Sequence, residues 1–269
     1  MGRRPVPHLV LARRGVAASA LSLVGLFWVV NELRMPAPDL SAVERVLAVF
    51  PHPDDETVSC GGTLHRLTQL GKRVTLVALT RGERGYAPNS GPVELGTLRA
   101  GELAAAARWL GVSRLIQLGL PDGDLSLRRQ ELRHLLSTVI DTERPDLLIT
   151  YDLAGLYGHP DHVTCAEVVT ELSAGHGMKI RLWYVALPHR LRWGLVRLGA
   201  LPRDSARSPA PARPTTKLFV GPSLGAKVRA WRSHHSQRHA IGNGVGRLVP
   251  GWLLAALQPF EYFEEVPRQ

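Results

Sequence analysis

From Arg45 onward the chain alternates short runs of β-branched and aliphatic residues with longer stretches in which apolar positions recur every three or four residues. The short runs have the near-continuous apolar character of strands buried on both faces, and the longer stretches have the period of helices. The pattern predicts strands at Val46–Phe50, Val74–Leu79, Arg114–Leu118, Leu147–Tyr151 and Leu182–Ala186. Helices are expected near Glu56–Leu70, Glu94–Leu110, Arg128–Asp141 and Pro160–Ser173, with Gly71 and Gly111 as C-terminal stops, and a last helix near Ser223–His234. Strict alternation of strand and helix implies a three-layer α/β fold: a mostly parallel, Rossmann-like sheet with helices on both faces. Residues 203–214, rich in Pro, Ala, Ser and Arg, read as an exposed loop.

One stretch departs from this alternation. Gly15–Val30 is an uncharged apolar run, preceded by Arg3, Arg4, Arg13 and Arg14 and closed by Asn31, Glu32 and Arg34. Its length falls between a signal-peptide core and a full membrane span, and Trp28 suits an interfacial position. Met35-Pro36-Ala37-Pro38 lacks an A-x-A-like cleavage site, which favours an uncleaved anchor over a secreted product. The upstream arginines place residues from about 35 onward on the extracytoplasmic side, and Arg13-Arg14 also fits a twin-arginine signal. The chain therefore divides into residues 1–34, an anchor or signal segment, and 35–269, a single domain with its core at 43–190 and a basic portion at 191–269.

Composition refines this picture. With 269 residues and 45% hydrophobic content, there is enough apolar material for one well-buried α/β domain. The net charge of +10 is uneven: residues 1–34 hold 5 basic and 1 acidic side chains, 35–178 hold 13 and 18, and 179–269 hold 15 and 4. A basic end beside an apolar anchor fits an anionic membrane surface, and nucleic acid is the lesser alternative. Trp183, Tyr184, Trp193, Trp231 and Trp252 are scattered and form no base-stacking motif. Two cysteines, Cys60 and Cys165, are too few for a disulfide framework; export leaves open whether they pair. No GxSxG, GxGxxG or P-loop spacing occurs, which argues against an acyl-enzyme, a dinucleotide enzyme or an NTPase.

The chemistry-bearing residues cluster after two strands. The first strand runs into His52-Pro53-Asp54-Asp55-Glu56, and the fourth is followed by Tyr157-Gly158-His159-Pro160-Asp161-His162. Both lie at carboxyl ends of parallel strands, where open α/β sheets bind their ligands. Imidazole and carboxylate together suit zinc or ferrous iron, with three protein ligands and one open position. His52, Asp55 and His162 supply such a set, and a helix starting near Pro160 lets His159 and His162 address one centre. Asp161 stands as a partner that orients a histidine, or as a carboxylate at a helix start.

These two motifs resemble those of the LmbE-like, or PIG-L-type, de-N-acetylases, over roughly residues 43–190. The resemblance implies His52, Asp55 and His162 as zinc ligands, Asp54 as general base, His159 as acid or oxyanion stabiliser, and Tyr157 as a further catalytic group. It also implies that Glu83 of Thr80-Arg81-Gly82-Glu83, Arg99 of Arg99-x-x-Glu102 and Asp122 of Leu120-Pro121-Asp122-Gly123 touch a sugar. Spacing alone allows Arg99 and Glu102 to be only a surface ion pair. Lys227–Gln237 is similar to a downstream family motif ending in H-x-S-Q. The expected activity is hydrolysis of the acetamide of an N-acetylglucosamine-type conjugate by metal-activated water. Its rival is a membrane-tethered glycan- or lipid-binding protein that kept the fold without activity.

Overall fold

Strand β1, Arg45–Phe50, shows why the sheet is covered on both sides. Val46, Ala48 and Phe50 enter one apolar cluster and Leu47 and Val49 another, so consecutive side chains project to opposite faces and both are dry. The same split holds in β2, Arg73–Thr80, and β4, Leu147–Tyr151. Each fully excluded leucine, such as Leu47, stabilises the fold by about 1.5–3 kcal/mol. This computed structural model describes residues 34–85, 91–175, 179–197, 210–237 and 259–267. No helix among them is long and apolar enough to cross a membrane. The Gly15–Val30 segment lies outside the described residues.

The first face is packed by α1, Asp55–Gln69, and α2, Pro92–Trp109, through Leu64, Leu67, Leu103 and Ala106. The second is packed by α3, Arg129–Glu143, and α4, Pro160–Gly175, through Leu136, Ile140, Val168 and Val169. Strands β3, Arg114–Leu120, and β5, Arg181–Ala186, complete a parallel set. Cys60 belongs to the first cluster and Cys165 to the second; the sheet separates them and both thiols are free. Gly71 and Gly111 end α1 and α2 with φ of 77° and 71°, the left-handed conformation expected of a helix stop.

Among the described residues the sheet has seven strands in the order β3-β2-β1-β4-β5-β7-β6. The last two, β6 at Thr216–Phe219 and β7 at Phe260–Glu265, were not predicted. Both run antiparallel, β7 to β5 and β6 to β7. Three glutamates within β7 hide its strand character, and β6 is only four residues long. Helix α5, His189–Arg197, also went unpredicted. Helix α6, Leu224–Ser233, packs on α1 and α2 behind the carboxyl edge of β1, preceded by a 3-10 turn at Gly221–Ser223. Of the loop expected at 203–214, residues 210–214 are described and irregular. Ala212 there donates its N–H to Asp152 Oδ2 and packs against the second cluster, so this part is docked on the body rather than free in solvent.

Candidate metal centre

Sequence order reverses between β1 and β4, so the chain leaves these neighbouring strands toward opposite sides and opens a crevice at their carboxyl ends. The His-Pro-Asp-Asp turn follows β1 and the second His-rich turn follows β4, so both line that crevice. His52 Nδ1 lies 3.3 Å from Asp55 Oδ2 and 3.3 Å from His162 Nε2, and the third side of the triangle, His162 Nε2 to Asp55 Oδ2, is 3.5 Å. Ligand atoms at the vertices of a tetrahedron around zinc, with bonds of 2.0–2.1 Å, stand about 3.3–3.4 Å apart. The set therefore fits a divalent ion in spacing as well as in chemistry.

Surrounding groups orient each member. His52 Nε2 faces Asp122 Oδ1 at 2.9 Å and Asp161 Oδ2 at 3.2 Å, so that nitrogen carries the proton and Nδ1 is the one turned to the triangle. Asp161 also accepts the N–H groups of Gly123 and Leu125, joining the loop after β3 to the start of α4. Those histidine and backbone contacts outweigh burial and keep its carboxyl below the usual range. Burial opposes a charge on His52 too, yet Asp122, Asp161 and Asp55 hold its imidazole well above the ordinary value. His162, fully enclosed, is driven down to about 4 by burial and is a neutral donor at physiological pH. Burial also opposes ionisation of Asp55, but His162 and His52 keep it a carboxylate. A second grouping, His52 with His159 and Asp161, is a poorer cation site, because it would take from Asp161 and His52 the atoms that bind each other.

Tyr151, the last residue of β4, was not singled out from the sequence. Its hydroxyl donates to Asp55 Oδ1 at 2.8 Å and accepts from Ser59, while its ring stacks on His162 with centroids 4.3 Å apart. One aromatic side chain thus orients two of the three candidate ligands. Only its place at the end of an active-edge strand could have signalled this.

Asp54 faces a different way from Asp55 because of its backbone at the start of α1. The strand ends at Phe50, and Asp54 is the residue before α1, with φ of 107°. A non-glycine residue held there stores about 1–3 kcal/mol of strain. Its carboxylate makes no helix-capping bond and lies 3.3 Å from Arg99 Nη2 instead. Burial pushes the Asp54 carboxyl up to about 7, although the Arg99 charge pulls it down.

His159 and Tyr157 stand at the rim, both half-buried. The His159 ring is 4.9 Å from those of His52 and His162, and Tyr157 is 4.9 Å from His162. His159 Nδ1 accepts the Asp161 N–H, so Nε2 is its proton-bearing nitrogen, and burial together with the His52 charge lowers its pKa. Burial and neighbouring carboxylates raise the pKa of Tyr157, which keeps its phenol protonated. Tyr157 sits on one helical turn, Gly155–Gly158, after a strained Leu156 with φ of 62°.

The three expected sugar contacts are all at this edge. Asp122 holds His52, and its own N–H goes to Glu83 Oε1 at 2.8 Å. Glu83 Oε2 is buried without a partner among the described residues. Arg99 and Glu102 are not a surface ion pair: both are buried, and they turn to different partners. Arg99 donates to the carbonyls of Pro53 and Gly82 at 2.5 and 2.7 Å, whereas Glu102 accepts the N–H and hydroxyl of Ser236. In the downstream motif His234 is buried against Glu56, and His235 is exposed.

Comparison with known proteins matches residues 47–173 to the family model described as PIG-L, GlcNAc-PI de-N-acetylase. The 1D-myo-inositol 2-acetamido-2-deoxy-alpha-D-glucopyranoside deacetylase of Actinosynnema mirum is 32% identical over 242 residues, covering 77% of this chain and 85% of that one. Among solved structures, the N,N'-diacetylchitobiose deacetylase of Pyrococcus horikoshii superposes with a TM-score of 0.63 at 24% identity, covering 85% of each chain. A 4-carboxy-2-hydroxymuconate hydratase from Pseudomonas putida shares the fold at a TM-score of 0.56 and 17% identity, covering 84% of this chain and 97% of its own. That fold therefore hosts more than one chemistry, and the reaction has to be argued from the site.

Proposed function

This chain belongs to the PIG-L family of de-N-acetylases, and we propose that it hydrolyses the acetamide of an N-acetylglucosamine conjugate, with His52, Asp55 and His162 holding a divalent ion, zinc or ferrous iron. The observation that carries this reading is the triangle of three ligand atoms, 3.3–3.5 Å on each side, with an unused carboxylate on one flank and a histidine on the other. The A. mirum relative is named for an acetamido sugar on an inositol, which makes a glucosaminyl-inositol the first substrate to try.

The ion, when bound, supplies Lewis acidity at the acetamide carbonyl and acidity to water. Asp54, held off the ligand set by Arg99, takes the proton from the attacking water. Its raised pKa suits a base that must release that proton again. His159 Nε2–H, with the protonated Tyr157 phenol nearby, stabilises the oxyanion, and the proton taken up by Asp54 passes to the departing amine. Asp122 and Asp161 keep His52 in the tautomer that turns Nδ1 inward. Glu83 Oε2, buried and unpartnered, is suited to accept a bond from a sugar hydroxyl. An inactive glycan- or lipid-binding protein would have no use for both Asp54 and His159, and this weighs against that reading.

The same proposal assigns residues 1–34 to a membrane tether with 35–269 outside the cytoplasm, supported by the arginines that precede an apolar run. The test of the activity is acetate release from N-acetylglucosaminyl-inositol and N,N'-diacetylchitobiose, with and without added zinc, beside Asp54→Ala. Release should require metal and fall about 100- to 10,000-fold in the variant while one ion per chain is still bound. A chain that binds no metal would sink the reading.

A further inference from the structure

We infer that His234 is a positioning residue for Asp54, acting through Glu56; this rests on the reading of Asp54 as the general base. Backbone at φ of 107° persists only where its surroundings hold it. The Asp54 N–H donates to Glu56 Oε2 at 3.0 Å, which fixes the very peptide whose rotation would swing the carboxylate away. Arg99 holds the carbonyl of that same peptide and the Asp54 side chain, so Glu56 and Arg99 pin the peptide from its two ends.

Glu56 in turn is almost wholly buried, and a buried carboxylate keeps one orientation only if its second oxygen is also satisfied. Two donors satisfy it: the Thr57 hydroxyl at 2.5 Å and His234 Nε2 at 3.0 Å. Thr57 is the next residue along the same turn and moves with it. His234 comes from 178 residues further along the chain and is anchored independently. It ends α6, its carbonyl accepts the Gln237 N–H, and Ser236 clasps both oxygens of Glu102 on α2. The downstream H-x-S-Q motif therefore braces the turn that carries the base from behind. His234 itself is buried and, among the described residues, makes no hydrogen bond to Asp54 or to the three candidate ligands, so beside the direct pull of its charge on Asp54 its contact with that turn runs through Glu56.

Two variants of the full chain loaded with zinc separate this role from a merely structural one. His234→Gln keeps an N–H where Nε2 stood, whereas the shorter His234→Asn does not reach Glu56. In His234→Asn, kcat should fall about 10- to 100-fold with KM and the one-ion stoichiometry unchanged, and deuterium exchange at the Asp54 amide should accelerate. His234→Gln should restore most of both. Equal behaviour of the two variants, an unaltered Asp54 exchange rate in His234→Asn, or loss of zinc together with kcat would each overturn the inference. Exchange is read without turnover. A parent chain that releases no acetate while the exchange contrast holds thus removes the hydrolase reading and keeps the brace; acetate release without the contrast removes the brace alone.

Discussion

Asp54 and Asp55 are adjacent and chemically identical, yet their surroundings send them to opposite ends of the carboxylate range. Histidines on either side keep Asp55 ionised, whereas burial lifts Asp54 to about 7 against the pull of Arg99. A general base must be unprotonated to act, so the rate should rise with pH through about 7 and level off above it. Because the Arg99 charge lowers that value, Arg99→Met should move the acidic limb of the pH–rate profile to higher pH, and Arg99→Lys should move it less. An acidic limb that stays in place in Arg99→Met would exclude Asp54 as the titrating base. Tyr151 makes a separate prediction about the ion. Tyr151→Phe keeps the ring on His162 but removes the hydroxyl from Asp55, and zinc affinity measured by chelator competition should weaken about 10- to 100-fold. Unchanged affinity would mean that Asp55 is held well enough by the His52 N–H alone.

Helix α1 is not one helix. Cys60, with φ of −149° and ψ of 22°, breaks it, and the second half starts afresh at the glycine pair that follows. The new start needs partners for its first N–H groups, and Glu261 of β7 supplies them, accepting from Gly62 at 3.0 Å and Thr63 at 2.6 Å. Lys227 of α6 neutralises the same carboxylate at 2.6 Å. Gly62 cannot carry a side chain here, since a Cβ would lie 2.8 Å from Val220 and 2.9 Å from Glu261. Glu261→Ala strips a buried cap and leaves Lys227 without its partner, and should cost about 3 kcal/mol in urea unfolding. A loss below about 1 kcal/mol would show that water replaces the cap. The parallel strands and five of the helices around them were legible in the sequence because each buries a periodic apolar face. That His52, Asp55 and His162 would come together was legible because two unusual turns fall at one edge. Glu261 and His234 were not, since their partners lie across the fold and no local spacing announces a contact of that range. The break at Cys60 was hidden for the same reason: its compensation comes from elsewhere.

Across the whole molecule the charge is unevenly divided. The acidic middle of the sequence supplies the proposed ligand and base carboxylates, whereas the basic excess lies in the first and last parts. If the first part is a tether, the full chain should sediment with membranes and resist high salt, while residues 35–269 should remain in the supernatant. Recovery of the full chain in the soluble fraction would overturn the tether.

Strand β7 lies between β5 and β6 although it follows both in sequence, and β6 hydrogen-bonds to β7. On a ribosome, β1 to β5 and all three candidate ligands emerge before the strand that completes the sheet. The half of the molecule that carries the three candidate ligands can thus assemble early. β6 waits on the nascent chain for its neighbour, and the cap on the broken helix arrives with that same strand. Synthesis therefore delivers the strands beneath the candidate site first and the strand that carries the cap of the broken helix last.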